Sequence, residues 1–177
     1  MTITKQKQQT AFEALKSGQE YKNVLQSPRI QKVVISSGTG KAKDKNRDAV
    51  VIDRLARITG QKPAPRRAKV SIAQFKVREG DTVGYQVTLR GERMYNFLDK
   101  LIHVALPRTR DFRGINDSAV DGMGNMTIGI KEHTIFPETS DEDLKDIFGL
   151  AVTVVTSAKG RDEALAFFRH IGVPFKK

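Results

Sequence analysis

A chain of 177 residues with 31 Lys and Arg against 20 Asp and Glu has a net charge of +11, and so calls for a polyanionic partner, nucleic acid before an anionic membrane. Its 38% hydrophobic and 29% charged residues fall in the globular range, and no stretch approaches the roughly 18–20 apolar residues of a membrane span. The absence of cysteine excludes disulfides and thiolate metal sites, and Met1 to Gly18 is too polar for a signal peptide, so a cytoplasmic protein of one domain is expected.

Thr4 to Leu15 reads as a polar amphipathic helix with Ala11, Phe12 and Leu15 as its apolar contacts. Pro28 ends a linker, and a strand opens at Arg29 and Ile30 with Val33 and Ile35 on one face. Gly38 and Gly40 allow a tight turn. Asp44 or Asn46 caps a helix whose face is Val51, Ile52, Leu55 and Ile58, stopped by Gly60. Residues 61–69 read as a basic loop held extended by Pro63 and Pro65. Val70–Val77 and Val83–Leu89 read as two strands of a hairpin with Gly80 in the turn. A long helix begins at or just before Gly91, includes Met94, Phe97, Leu98, Leu101, Ile102 and Ala105, and ends at Pro107. Arg108 to Met126 is a loop, and Thr127–Lys131 a strand. Ser140 caps a short acidic helix led by Asp141, Glu142 and Asp143. A β-branched strand at Leu150–Thr156 and a helix at Asp162–Ile171, stopped by Gly172 and Pro174, complete the chain. This irregular alternation predicts an α+β fold: a single domain, residues 1–177, with a mostly antiparallel sheet and helices on one face. Such a sheet leaves its other face free for a ligand.

The charge is one-sided. Residues 1–113 carry +14 and residues 114–177 carry −3, the asymmetry of a polyanion footprint rather than of lysines that only solubilise. Arg90, Arg93, Lys100, Arg108, Arg110 and Arg113 punctuate the apolar run from Val87 to Gly114. Arginine grips phosphate through two parallel hydrogen bonds, and the run offers no catalytic cluster, so it reads as a docking surface. SGTGKA fails as a phosphate-binding loop because Ile35 stands where the first glycine is required and Ala42 where Ser or Thr is required. Its glycines still let backbone approach a phosphate. DGMGNMT fails the dinucleotide fingerprint at Thr127. His103, His133 and His170 are isolated in sequence and read as structural or solvated, and Asp141 and Asp143 as helix-end carboxylates rather than metal ligands. Phe75, between Gln74 and Lys76, packs in a core or stacks on a nucleotide, while Gln61 and Thr88 are neutral hydrogen-bonders close to cations. An RNA-docking scaffold leads. An RNA-acting enzyme and a DNA-binding architectural protein are the alternatives, and neither finds an acid–base pair, a helix-turn-helix or a zinc signature to support it.

GQKP at 60–63, SIAQFKVREG at 71–80, VTLRGERMYNFLDKLI at 87–102, PRTRDFRG at 107–114, DGMGN at 121–125 and IFPE at 135–138 together resemble the bacterial type of large-subunit ribosomal protein L five. The likeness runs in order from Pro28 to Phe175. It implies a curved antiparallel sheet with helices on one side, no enzymatic activity, no cofactor or metal, and a place in the large subunit of the cytoplasmic ribosome. It implies binding to 5S rRNA in the central protuberance, with 23S rRNA, the elbow of P-site tRNA and small-subunit protein S thirteen as further partners. No membrane or small-molecule partner is implied. By motif, the 5S rRNA contacts carry over to Gln61, Phe75 and Thr88. A fourth family position, usually Asn, is Ser36 here, which keeps a hydrogen-bonding group but lacks the amide. Gly38, Lys62 and Arg90 beside these positions complete the expected rRNA set. Lys69, Lys76 and Arg78 are the candidate tRNA contacts, and Arg108, Arg110, Asp111 and Arg113 the candidates for the subunit bridge.

Overall fold

The structure, a computed structural model, describes residues 2–16, 18, 21–40, 45–139 and 147–176. The expected caps at Asp44 and Ser140, the Asn46 side chain and the acidic helix of Asp141 to Asp143 lie outside what is described.

The helices are α1 (Ile3–Leu15), α2 (Lys45–Thr59), α3 (Gly91–Lys100) and α4 (Arg161–Ile171), and the strands β1 (Ile30–Gly38), β2 (Ala64–Arg67), β3 (Thr82–Leu89), β4 (Met126–Ile130) and β5 (Leu150–Thr156). The strands form one antiparallel sheet in the order β2-β3-β1-β5-β4, so the α+β expectation is met. The described chain divides into two compact units, one of residues 1–33, 89–128 and 153–177 and one of residues 34–88 and 129–152.

In the first unit α1 packs on α3 and α4. Phe97, Leu98, Leu101, Phe167, Phe168 and Ile171 are its buried bulk, each no more than 3% exposed. α3 runs on into a π-helical turn, Leu101–Ala105, closed by the Leu106 N–H donating to the Leu101 carbonyl at 2.9 Å. Pro107 follows, as expected of a helix stop. At the far end of α4, Gly172 takes the left-handed conformation at φ +102°, and Lys7 donates to the Ile171 carbonyl at 2.8 Å. α1 has no acidic residue in its first turn. Asp99 of α3 takes that role, its carboxylate accepting from the N–H groups of Ile3 and Thr4, each at 2.8 Å, and from the Thr4 hydroxyl. Asp99→Ala is therefore expected to cost about 1 kcal/mol, the usual worth of an N-cap. An unchanged urea midpoint would show that water serves the α1 terminus equally well.

In the second unit Val51, Leu55 and Ile58 of α2 are at most 2% exposed, and Ile35, Val87, Phe136 and Val152 are buried with them. Asp48 of α2 accepts from the Tyr85 hydroxyl at 3.2 Å. Burial first, then that carboxylate, raise the Tyr85 phenol above its ordinary range.

One expected hairpin strand is displaced. Val70–Val77 is not a strand: it holds a short 3₁₀ turn, Ala73–Phe75, and one isolated bridge between Ile72 and Val77. The strand paired with β3 lies earlier, inside the expected basic loop, with Ala64 opposite Gln86, Pro65 opposite Tyr85 and Arg66 opposite Gly84. A proline that cannot donate to the ladder is tolerated there because β2 ends the sheet. Residues 68–81 are then the connection, tied at its base by Ala68 N–H to Asp81 O at 2.8 Å and Gly80 N–H to Ala68 O at 3.0 Å.

Candidate RNA interface

Strand alternation sorts the second unit's side chains. Ile35, Ser37, Tyr85 and Val87 are buried, and Ser36, Gln86 and Thr88 between them are half-buried. Tyr85 meets α2 through Asp48, so Ser36, Gln86 and Thr88 stand on the sheet face away from α2. Arg66 pairs with Gly84, two residues along β3 from Gln86, and joins the same face. Gln61 reaches this strand from the end of α2, its Nε2 donating to the Thr88 carbonyl at 3.5 Å. The structure thus unites Gln61 with Thr88, and Lys62 beside Gln61 is exposed. The turn that delivers Gln61 depends on Gly60, at φ +68°, and on Thr59, 7% exposed. The Thr59 hydroxyl donates to the Leu55 carbonyl at 2.6 Å, lies 3.0 Å from the Gln61 carbonyl, and accepts from the Gln61 N–H at 3.3 Å.

The 68–81 connection and the β1 end form an open groove of about 1090 Å³. Its walls include Gly38, Gly40, Lys69, Phe75, Lys76 and Val83. Phe75 is 67% exposed, which excludes core packing, and it stands on the 3₁₀ turn rather than on a strand. Val70 and Ile72, read as strand residues, are exposed on the same connection. Lys76 closes the turn in the left-handed conformation at φ +52°, and the Arg78 N–H donates to Asp81 Oδ2 at 3.0 Å. Arg47, Lys62, Arg66, Arg67, Lys69, Lys76 and Arg78 are all exposed, and none forms an ion pair among the described residues. Sequence reasoning passed over Arg47, which lines the groove from α2. A cationic groove with an exposed aromatic ring suits a strand of nucleotides: the ammonium and guanidinium groups meet phosphates, and the ring offers a face to a base.

The first unit carries the other candidates. Arg90 occupies the N-cap position of α3, exposed, with its guanidinium 3.4 Å from the Gln31 carbonyl. Arg108, Arg110, Asp111 and Arg113 are exposed on the segment after Pro107, and Asp111 turns it at φ +55°. Gly114 anchors that segment at φ +97°, where a Cβ would lie 2.7 Å from the Lys176 nitrogen. These five side chains belong to a different unit from Ser36, Gln61 and Thr88.

The histidines do not converge. His133 is buried and stacks on Phe148 at 4.3 Å between ring centroids, His170 lies 2.8 Å from the Lys7 carbonyl, and His103 is exposed on the π-helical turn. Among the described residues no group of three His, Cys, Asp or Glu side chains is arranged to hold a metal ion. No described helix is long and apolar enough to cross a membrane.

Comparison with known proteins covers both stretches of this surface. The model of ribosomal protein L5 matches residues 23–78, and that of the C-terminus of the same ribosomal family matches residues 82–175. Large ribosomal subunit protein uL5 of Trichlorobacter lovleyi is 49% identical over 173 residues, 96% of this chain and 95% of the relative. The uL5 of Mycoplasma capricolum is 51% identical and that of Anaeromyxobacter sp. strain K 48%, each over 159 residues, 89% of this chain and 88% of the relative.

Proposed function

This chain belongs to the ribosomal protein L5 family, and from that premise we propose that it is a structural constituent of the large ribosomal subunit, an RNA-docking scaffold of the cytoplasm without enzymatic activity. The observation that carries the reading is near end-to-end similarity to relatives named as large ribosomal subunit proteins. It docks 5S rRNA, with 23S rRNA beside it. The sheet face away from α2 supplies Ser36 and Thr88, with Gln61 bonded to the Thr88 backbone and Gly38, Lys62, Phe75 and Arg90 as further contacts. Exposed cations displace the counterions of the RNA backbone, which gives affinity but little selectivity. Selectivity falls to the neutral groups, since a hydroxyl and a carboxamide pair with ribose 2′-hydroxyls and base edges that duplex DNA does not offer in the same geometry. Lys69, Lys76 and Arg78 on the 68–81 connection meet the elbow of P-site tRNA. The segment carrying Arg108, Arg110, Asp111 and Arg113 meets small-subunit protein S thirteen.

The test is binding of the purified chain to 5S rRNA, to a structured RNA of equal length and to duplex DNA across a salt series. A preference for 5S rRNA that survives rising salt is expected. Equal affinities that collapse together with salt would reduce the surface to a nonspecific cation patch.

A further inference from the structure

Resting on the reading of Gln61 as a 5S rRNA contact, we infer that Thr59 is the positioning residue that sets Gln61 for RNA. Thr59 ends α2, and the following Gly60 reverses the backbone in the left-handed conformation. A glycine in that conformation gives the chain freedom in both directions. The Thr59 hydroxyl removes that freedom. Its proton is shared between the carbonyls of Leu55, one turn back in the helix, and of Gln61, two residues ahead, while its oxygen receives the Gln61 N–H. Both backbone polar groups of Gln61 are thereby held by one buried side chain. The Gln61 side chain has one further anchor, its Nε2 against the Thr88 carbonyl. With the amide donor engaged, the carboxamide oxygen has no partner among the described residues and is the acceptor offered to a ligand donor. A side chain fixed in its bound conformation loses less entropy on binding than one that must be ordered. Thr59 therefore acts on RNA through Gln61 without touching it.

The experiment is a double-mutant cycle on the full-length chain with 5S rRNA as probe at fixed ionic strength. Thr59→Val keeps the branched shape and removes the hydroxyl, and Gln61→Ala removes the contact. Each is expected to weaken binding about three- to tenfold, the range of one neutral hydrogen bond. The double variant is expected to bind no worse than the weaker single variant, because a residue acting through another has nothing left to position. Thr59→Ser is expected to restore affinity, and Thr59→Ala, a second hydroxyl-free variant, to repeat the loss. The salt slope stays unchanged in every variant, since no phosphate contact is altered. Losses that add in the double variant would make Thr59 a generally structural residue and overturn the inference. Wild-type affinity in Thr59→Val beside a weakened Gln61→Ala would overturn it while sparing the Gln61 contact. Wild-type affinity in Gln61→Ala would remove both.

Discussion

Replacing Lys69, Lys76 and Arg78 together by glutamine is expected to weaken binding of tRNA by about 10²- to 10³-fold at low salt, with a much smaller loss for 5S rRNA. The three cations sit on the connection between β2 and β3, and none forms an ion pair among the described residues. Each phosphate left without its cation lowers the slope of log affinity against log salt by about 0.7–0.9, so the tRNA slope should flatten by about two to three. Of the proposed 5S rRNA contacts, Ser36, Gln61 and Thr88 lie on strands and at the α2 end, and Phe75, an uncharged ring left in place by these substitutions, lies on the connection. Retention of both labelled RNAs across a salt series measures the two slopes side by side. An equal loss for both would mean that the connection and the sheet face serve one RNA. An unchanged tRNA slope would take the three cations out of the footprint.

The second large effect concerns folding. Gly84→Ala should destabilise the protein by about 2–4 kcal/mol, read as a lower urea midpoint. Gly84 is buried on β3, and a Cβ there would lie 2.6 Å from the Ser37 carbonyl oxygen and 3.3 Å from the Gly38 Cα. Both obstacles are backbone, so no side-chain rotation relieves them, and β1 and β3 have to part. Buried Tyr85 and Val87 farther along that strand oppose the shift. Gly129 on β4 is the control: a Cβ there meets nothing within 4 Å, so Gly129→Ala should stay within about 0.5 kcal/mol of wild type. Equal midpoints for Gly84→Ala and wild type would mean that the strands separate freely at this point.

Most of the elements were legible because their signals are local. The alternation at Leu150–Thr156 and the apolar spacing through Met94, Phe97, Leu98 and Leu101 each describe one buried face, and the strand and helix lie where those patterns put them. The hairpin misled for the same reason. Val70 and Ile72 alternate like a strand, but alternation marks only residues that could avoid water, and Val70 is 66% exposed here. Pro63 and Pro65 signalled a loop, whereas an end strand accepts a residue that lacks an N–H. Contacts between distant residues were not legible at all. Asp99 caps a helix that begins 96 residues earlier in the chain, and nothing near either end announces it. Among the site residues, Gln61 and Thr88 stood out beside cations, but only the fold brings them together across 27 positions. Nothing in the local sequence marks the Thr59 hydroxyl as a partner of the Gln61 backbone.

An end strand presents unpaired amides and carbonyls that a second chain can zip onto, the first step of aggregation. β2 is only four residues long, includes Pro65, and finishes in Arg66 and Arg67, both exposed. Two copies meeting edge to edge would bring like charges together along a ladder already short of a donor. Arg66 and Arg67, suited by chemistry to an RNA backbone, thus also set like charges against any second copy that approaches this edge.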